Sequence, residues 1–177
     1  MNANGLANTA DPLLLLTITD GSSSMNKEIL FEKQRMSRAQ ALARVHNSFW
    51  SEASQSCHDN GRARSVYFFS SLRYGNGQVC PGFEGALKDQ EFVSVGDLIA
   101  NPLELERITP VPGEDAPVIE QPVWVKPHAN GNTPTCRGFD ACSVRVAKWI
   151  GMHPDGPAPV VMHTTDGEST DGDPLEP

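Results

Sequence analysis

The sequence has no apolar run of the roughly 18 residues that a membrane-crossing helix needs. Leu13–Leu16 ends after four residues, where Thr17 interrupts it. No Lys or Arg occurs in the first 26 residues, so the positive n-region of a secretory signal is missing and none is expected. There is no Cys-x-x-Cys pair among Cys57, Cys80, Cys136 and Cys142, and the 5 histidines show no i, i+4 pairing. The spacing of a structural zinc site is therefore absent. Basic surplus is absent too: 14 Lys and Arg stand against 22 Asp and Glu, a net charge of −8. Nothing of that sign would pair with a phosphate backbone, which excludes a nucleic-acid binder.

What remains suffices for one domain. A length of 177 residues lies close to the single-domain prior. An apolar fraction of 38%, with 15 glycines beside it, is enough to bury a core. With no signal or span, the expectation is a cytoplasmic protein whose cysteines are thiols. The charge is unevenly placed. All 14 basic side chains lie within residues 27–148, where the acids balance them. The excess comes from Asp11 and Asp20 at one end and Asp155, Asp166, Glu168, Asp171, Asp173 and Glu176 at the other.

Residues 1–11 are small and polar, the composition of a flexible arm, and residues 12–177 carry the domain. Leu13–Thr19 is apolar and β-tolerant, and Asp20-Gly21-Ser22-Ser23-Ser24 closes it. That pattern predicts a strand buried on both faces, opening into a polar loop at its carboxyl end. From Arg35 to Cys57, Leu42, Val45, Phe49 and Ala53 predict one helical face, stopped by His58-Asp59-Asn60-Gly61. Val66–Leu72 predicts a second strand, running on to Tyr74-Gly75 and completing a βαβ unit.

Ser94-Val95-Gly96-Asp97 predicts a capped short helix through Ala100. Val118-Ile119 and Val123-Trp124-Val125 read as extended pieces, in a stretch that Pro110, Pro112, Pro117, Pro122 and Pro127 keep as loop or edge. Thr133-Pro134 predicts an N-cap followed by proline at the first helical position. The helix it opens would place Phe139, Cys142, Val146, Trp149 and Ile150 on one face and stop at Gly151. Pro159–Thr165 predicts another buried strand, ending at Asp166-Gly167. The expected fold is α/β, a mostly parallel central sheet flanked by helices, whose ligands bind at the carboxyl ends of the strands.

The chemistry lies in Asp20-x-Ser22-x-Ser24. One carboxylate and two hydroxyls on a tight turn suit a hard cation such as magnesium, which accepts few protein oxygens and keeps several waters. Together with Thr133 in Asn130-Gly131-Asn132-Thr133-Pro134 and Asp166 in His163-Thr164-Thr165-Asp166-Gly167-Glu168, the loop resembles the metal-ion-dependent adhesion site of von Willebrand factor type A domains. Ser169-Thr170-Asp171-Gly172-Asp173-Pro174 and Gln121-Pro122-Val123-Trp124 add to the likeness, which points to a bacterial intracellular branch and runs from about Pro12 to the end.

The resemblance implies a Rossmann-like fold and a bound Mg2+, with Mn2+ or Ca2+ as alternatives. It implies that Ser22 and Ser24 bind the ion directly, Thr133 directly or through water, and Asp20 and Asp166 mainly through water. A Glu or Asp of a partner protein would complete the octahedron. Relatives of this type are often encoded beside MoxR-type AAA+ ATPases, or beside kinases and phosphatases of stress-response clusters. Ser23 stands where the family usually has glycine. The family domain also continues past its third motif, so the resemblance implies a fold that lacks its last strand-helix units and leaves the final strand as a sheet edge.

Two other functions compete with this module. A metal-dependent hydrolase would need a general base, for which Glu168 and His163 are the nearby candidates, although His163 is expected to face a helix layer. A calcium loop built from Asp166, Glu168, Asp171 and Asp173 fails on spacing, because these acids do not follow the EF-hand pattern.

Overall fold

The computed structural model describes residues 7–59, 62–108 and 117–174, with backbone alone at 58, 59, 62 and 63. The first six residues of the expected arm, Asn60-Gly61 of the expected helix stop, Pro110, Pro112 and Glu176 lie outside the described residues. In chain order the elements begin with β1 (Leu13–Asp20), β2 (Glu28–Phe31), β3 (Gln34–Ser37) and α1 (Arg38–Ser56). Then come β4 (His58–Asp59), β5 (Arg62–Ala63), β6 (Tyr67–Gly75), β7 (Gln78–Pro81) and β8 (Val93–Ser94). The last are α2 (Val95–Ala100), β9 (Glu104–Ile108), β10 (Ile119–Val123), α3 (Thr135–Met152) and β11 (Val160–Thr164). No helix among the described residues is long and apolar enough to cross a membrane.

The central sheet has the order β11-β1-β6-β7, with β8 also paired to β6. Both neighbours of β1 run parallel to it, and only the short β7 and β8 are antiparallel. Side chains alternate across β1 as a strand's pleat requires. Leu14, Leu16 and Ile18 face a layer with Cys142 and Trp149 of α3. Leu15 faces the other layer, with Ala43 and Trp50 of α1 and Leu98 of α2. The expected α/β architecture, a mostly parallel sheet flanked by helices, is thus the one observed.

Of the face expected for α1, Phe49 and Ala53 pack against the core, but the burial pattern corrects Val45 and centres the face elsewhere. Val45 points outward at 46% exposure, while Ala39, Ala43, His46, Asn47 and Trp50 point in. Trp50 is fully buried and carries an aromatic cluster, its ring 4.9 Å from Phe49, 5.2 Å from Phe69 and 5.6 Å from Phe83 between centroids. Asn47 is buried because it does a strand's work: its Oδ1 accepts from Trp124 N and Val125 N, and its Nδ2 donates to Val125 O. The extended piece 123–125 is therefore held by a side chain, and only Val123 belongs to β10.

The start of α1 is also later than Arg35. Residues 28–37 form the β2–β3 hairpin, turned at Glu32 and Lys33 with φ of 47° and 63°. Two left-handed residues make the tight turn that matches strand twist, usually supplied by Asn-Gly. A capping box then opens the helix: Ser37 Oγ accepts from Gln40 N, and Gln40 Oε1 accepts from Ser37 N.

Four further expectations are corrected by the last two elements. α3 begins at Thr135, with Pro134 at the cap position and no hydroxyl capping it. It runs through Gly151 to Met152, and Ile150 is 48% exposed, off the buried face. β11 is not buried on both faces: it is the sheet edge that the resemblance implied, with Val160 and Val161 about two-fifths exposed, because only β1 pairs with it.

Candidate functional site

The parallel strands β1, β6 and β11 end at one edge of the sheet, and the polar motifs gather there. Asp20 closes β1 with 2% of its surface exposed. A buried carboxylate needs donors. Its Oδ1 accepts from Ser22 N at 2.7 Å, shaping the turn, and its Oδ2 accepts from the Thr165 hydroxyl at 2.7 Å. The Ser22 and Ser24 hydroxyls lie 3.0 Å apart, and Ser24 Oγ donates to Asp166 Oδ1 at 2.5 Å. Asp20, Ser22, Ser24 and Asp166 thus form one connected cluster drawn from two distant segments.

Thr133 is buried, makes no hydrogen bond to this cluster, and is held through its backbone. Its N–H donates to the Thr170 hydroxyl and its carbonyl accepts from Thr170 N and Thr135 N. Its loop is bonded to the first one by Ser23 N to Gly131 O at 2.9 Å and Asn130 N to Gly21 O at 2.6 Å. Gly131 has φ of +73°, and a Cβ there would lie 2.4 Å from the Asn76 Cα, so only glycine permits this approach.

Sequence reasoning missed three participants. Arg38, the first residue of α1, pairs through its guanidinium with Asp166 Oδ2. Thr165 supports Asp20, and Asp171 caps α3 by accepting from Cys136 N and Arg137 N at 3.0 and 3.1 Å. The capping box Ser37-x-x-Gln40 was the legible signal for Arg38, since it sets the helix start and hence which residue leads the first turn. Asp171 explains why Thr133 need not cap: a carboxylate from 35 residues away satisfies the free N–H groups and complements the helix dipole.

Burial works to raise the Asp166 pKa, but the Ser24 hydroxyl, the Arg38 guanidinium and the Lys27 charge outweigh it and hold the carboxyl below its ordinary value. Burial pushes the Tyr74 hydroxyl up, and burial pushes His163 down against the opposing charge of Asp20. His163 faces the α3 layer as expected: its ring meets Phe139 at 4.9 Å, and its Nε2 lies 2.8 Å from the Tyr74 hydroxyl. Glu168 is exposed. The tail acids do not converge, since Asp166 serves the Ser24 loop while Asp171 serves α3.

Among the described residues, no group of three or more His, Cys, Asp or Glu side chains is placed to hold a metal ion. A metal here would rest on hydroxyls with carboxylates behind them. The donor set fits a hard cation. Octahedral Mg2+ with bonds of about 2.0–2.1 Å sets neighbouring ligand oxygens roughly 2.9 Å apart, and Ser22 Oγ and Ser24 Oγ are separated by 3.0 Å. Compared with family models, with curated proteins and with solved structures, the chain finds no match in any of the three.

Proposed function

We propose that this chain is a non-enzymatic, Mg2+-dependent protein-interaction module of the von Willebrand factor type A kind, working in the cytoplasm. The carrying observation is the pair of Ser22 and Ser24 hydroxyls at ligand spacing, joined to Asp166 and organised by Asp20. The mostly parallel sheet flanked by helices supports the same reading, as does the position of the cluster at the carboxyl ends of β1 and β11. The four cysteines are free thiols, in keeping with a reducing compartment.

Bound Mg2+, or Mn2+ or Ca2+ in its place, supplies an electrophilic centre for one anionic oxygen of a partner. Ser22 and Ser24 hold it with neutral oxygens, which leaves its charge largely unspent. Asp166 orients the Ser24 hydroxyl, Asp20 shapes the turn through Ser22 N, both would order the surrounding water, and Thr133 is offered by the adjoining loop. A Glu or Asp carboxylate of the partner would supply that oxygen. MoxR-type AAA+ ATPases and kinases or phosphatases of stress-response clusters are the partner classes that the resemblance offers. Hydrolysis is less well supported: of its two candidate bases, His163 is engaged by Tyr74 and turned to α3, and Glu168 is exposed to solvent.

The test is capture of partner from the source cell with the wild-type chain, with Asp20→Ala, and with wild type in EDTA. Capture is expected only with the wild-type chain in Mg2+. Partner retained by both Asp20→Ala and the EDTA-treated chain would sink the proposal.

A further inference from the structure

Resting on that reading, we propose that Arg38 is a built-in competitor for the charge of Asp166, weakening the bare site for Mg2+ and making stable occupancy depend on the partner's carboxylate. Arg38 is anchored twice. It follows the Ser37–Gln40 capping box, and its N–H donates to Lys27 O at 2.9 Å. Its guanidinium, about one-third exposed, then reaches Asp166, whose side chain is 12% exposed.

A cation at the first position of a helix opposes the helix dipole, so local propensity does not account for its place. Its contact does. Asp166 spends one carboxylate oxygen on the Ser24 hydroxyl and the other on Arg38. A carboxylate already paired with a guanidinium offers less charge to a second cation.

The count of charges states the consequence. Asp20 and Asp166 contribute two negative charges, Arg38 returns one in direct contact, and the Lys27 charge also acts on Asp166. A divalent ion added to that cluster leaves it net positive, by one charge more with Arg38 than without it. The excess is what an acidic side chain of the partner neutralises. Metal and partner then bind cooperatively, each raising the other's affinity by the same factor.

The experiment is titration of Mg2+ into the folded wild-type chain, Arg38→Gln and Arg38→Lys, followed by calorimetry, with thermal unfolding in EDTA alongside. Arg38→Gln keeps a hydrogen-bonding head and removes the charge. Its Mg2+ affinity is expected to rise about tenfold, within the usual span of such couplings, while its melting temperature in EDTA falls. Arg38→Lys keeps the charge on a shorter arm and is expected to bind about threefold tighter than wild type. Tightening is the informative sign, because a merely structural loss at Arg38 would weaken binding.

Wild-type affinity that is unchanged or reduced in Arg38→Gln overturns the inference and leaves the adhesion-site reading standing. If that variant does not fold, Arg38→Lys at or below wild-type affinity does the same. No Mg2+ binding by the wild-type chain or by any folded variant overturns both.

Discussion

The Ser24 hydroxyl and the Asp166 carboxylate, 142 positions apart in the chain, meet at 2.5 Å. That contact joins the carboxyl end of β1 to the carboxyl end of β11, and it gives Asp166 a charge-assisted donor on one oxygen while Arg38 holds the other.

An acid-dependent loss of stability follows from it. The Asp166 pKa is lowered in the fold, so its contribution is fully present above the unfolded carboxylate value near ~4 and is lost as pH falls through the lower folded value. Asp166→Asn is expected to be less stable than wild type at pH 7 and to flatten the stability profile below about pH 4. Urea unfolding from pH 7 to pH 3 measures both. A variant with the wild-type acid slope would show that Asp166 is not the group that titrates.

His46 governs a different window. Burial lowers its pKa from 6.5 to about 4, so the fold holds it neutral. The unfolded chain takes up a proton first as pH falls, and stability is therefore lost between about pH 6.5 and pH 4, by roughly 3 kcal/mol at most. His46→Leu removes the titration and is expected to show a shallower slope across that range. Equal slopes in the two proteins would contradict the assignment.

At Gly131 a methyl group meets the Asn76 backbone, and the φ of +73° strains any other residue. Gly131→Ala is expected to cost about 2 kcal/mol or more and to separate the Thr133 loop from the Ser23 loop. Denaturant unfolding reports the first effect. Faster exchange of the Ser23 amide, which donates to Gly131 O, reports the second.

Asp171 is the cap of α3, supplied from outside the helix. Asp171→Ala is expected to cost about 1 kcal/mol and to speed amide exchange at Cys136 and Arg137 while leaving later turns protected. Protection unchanged at those two amides would mean that another group caps the helix.

Much of this fold was legible because local patterns and tertiary roles agree. Leu13–Asp20 is apolar enough to be read as a central strand, and its polar end announces the site. Ser94 marks the start of α2, and its Oγ accepts from Asp97 N as a cap should. The hairpins among the described residues went unread, two of them instructively. Asn76-Gly77, with φ of 50° and 72°, carried the usual turn signal between β6 and β7. Glu32-Lys33 carried none, since neither residue favours the left-handed region that the β2–β3 turn requires. The face of α1 was misjudged in part, at Val45, because Val45 and Trp50 suit a helical stripe equally well; packing against Phe69 and Phe83 chose Trp50.

By itself the sequence determined β1, β6, β11 and the helices α1, α2 and α3, through runs of apolar residues bounded by turn formers, and the hydroxyl-rich loop at Asp20. Local interactions decide those, and they are written in neighbouring residues. Only the tertiary structure decided that Asp166 answers Ser24 and Arg38 and that Asp171 caps α3. Each of these is a pairing between segments far apart in the chain. Sheet order and helix docking create such pairings, and no local periodicity encodes them.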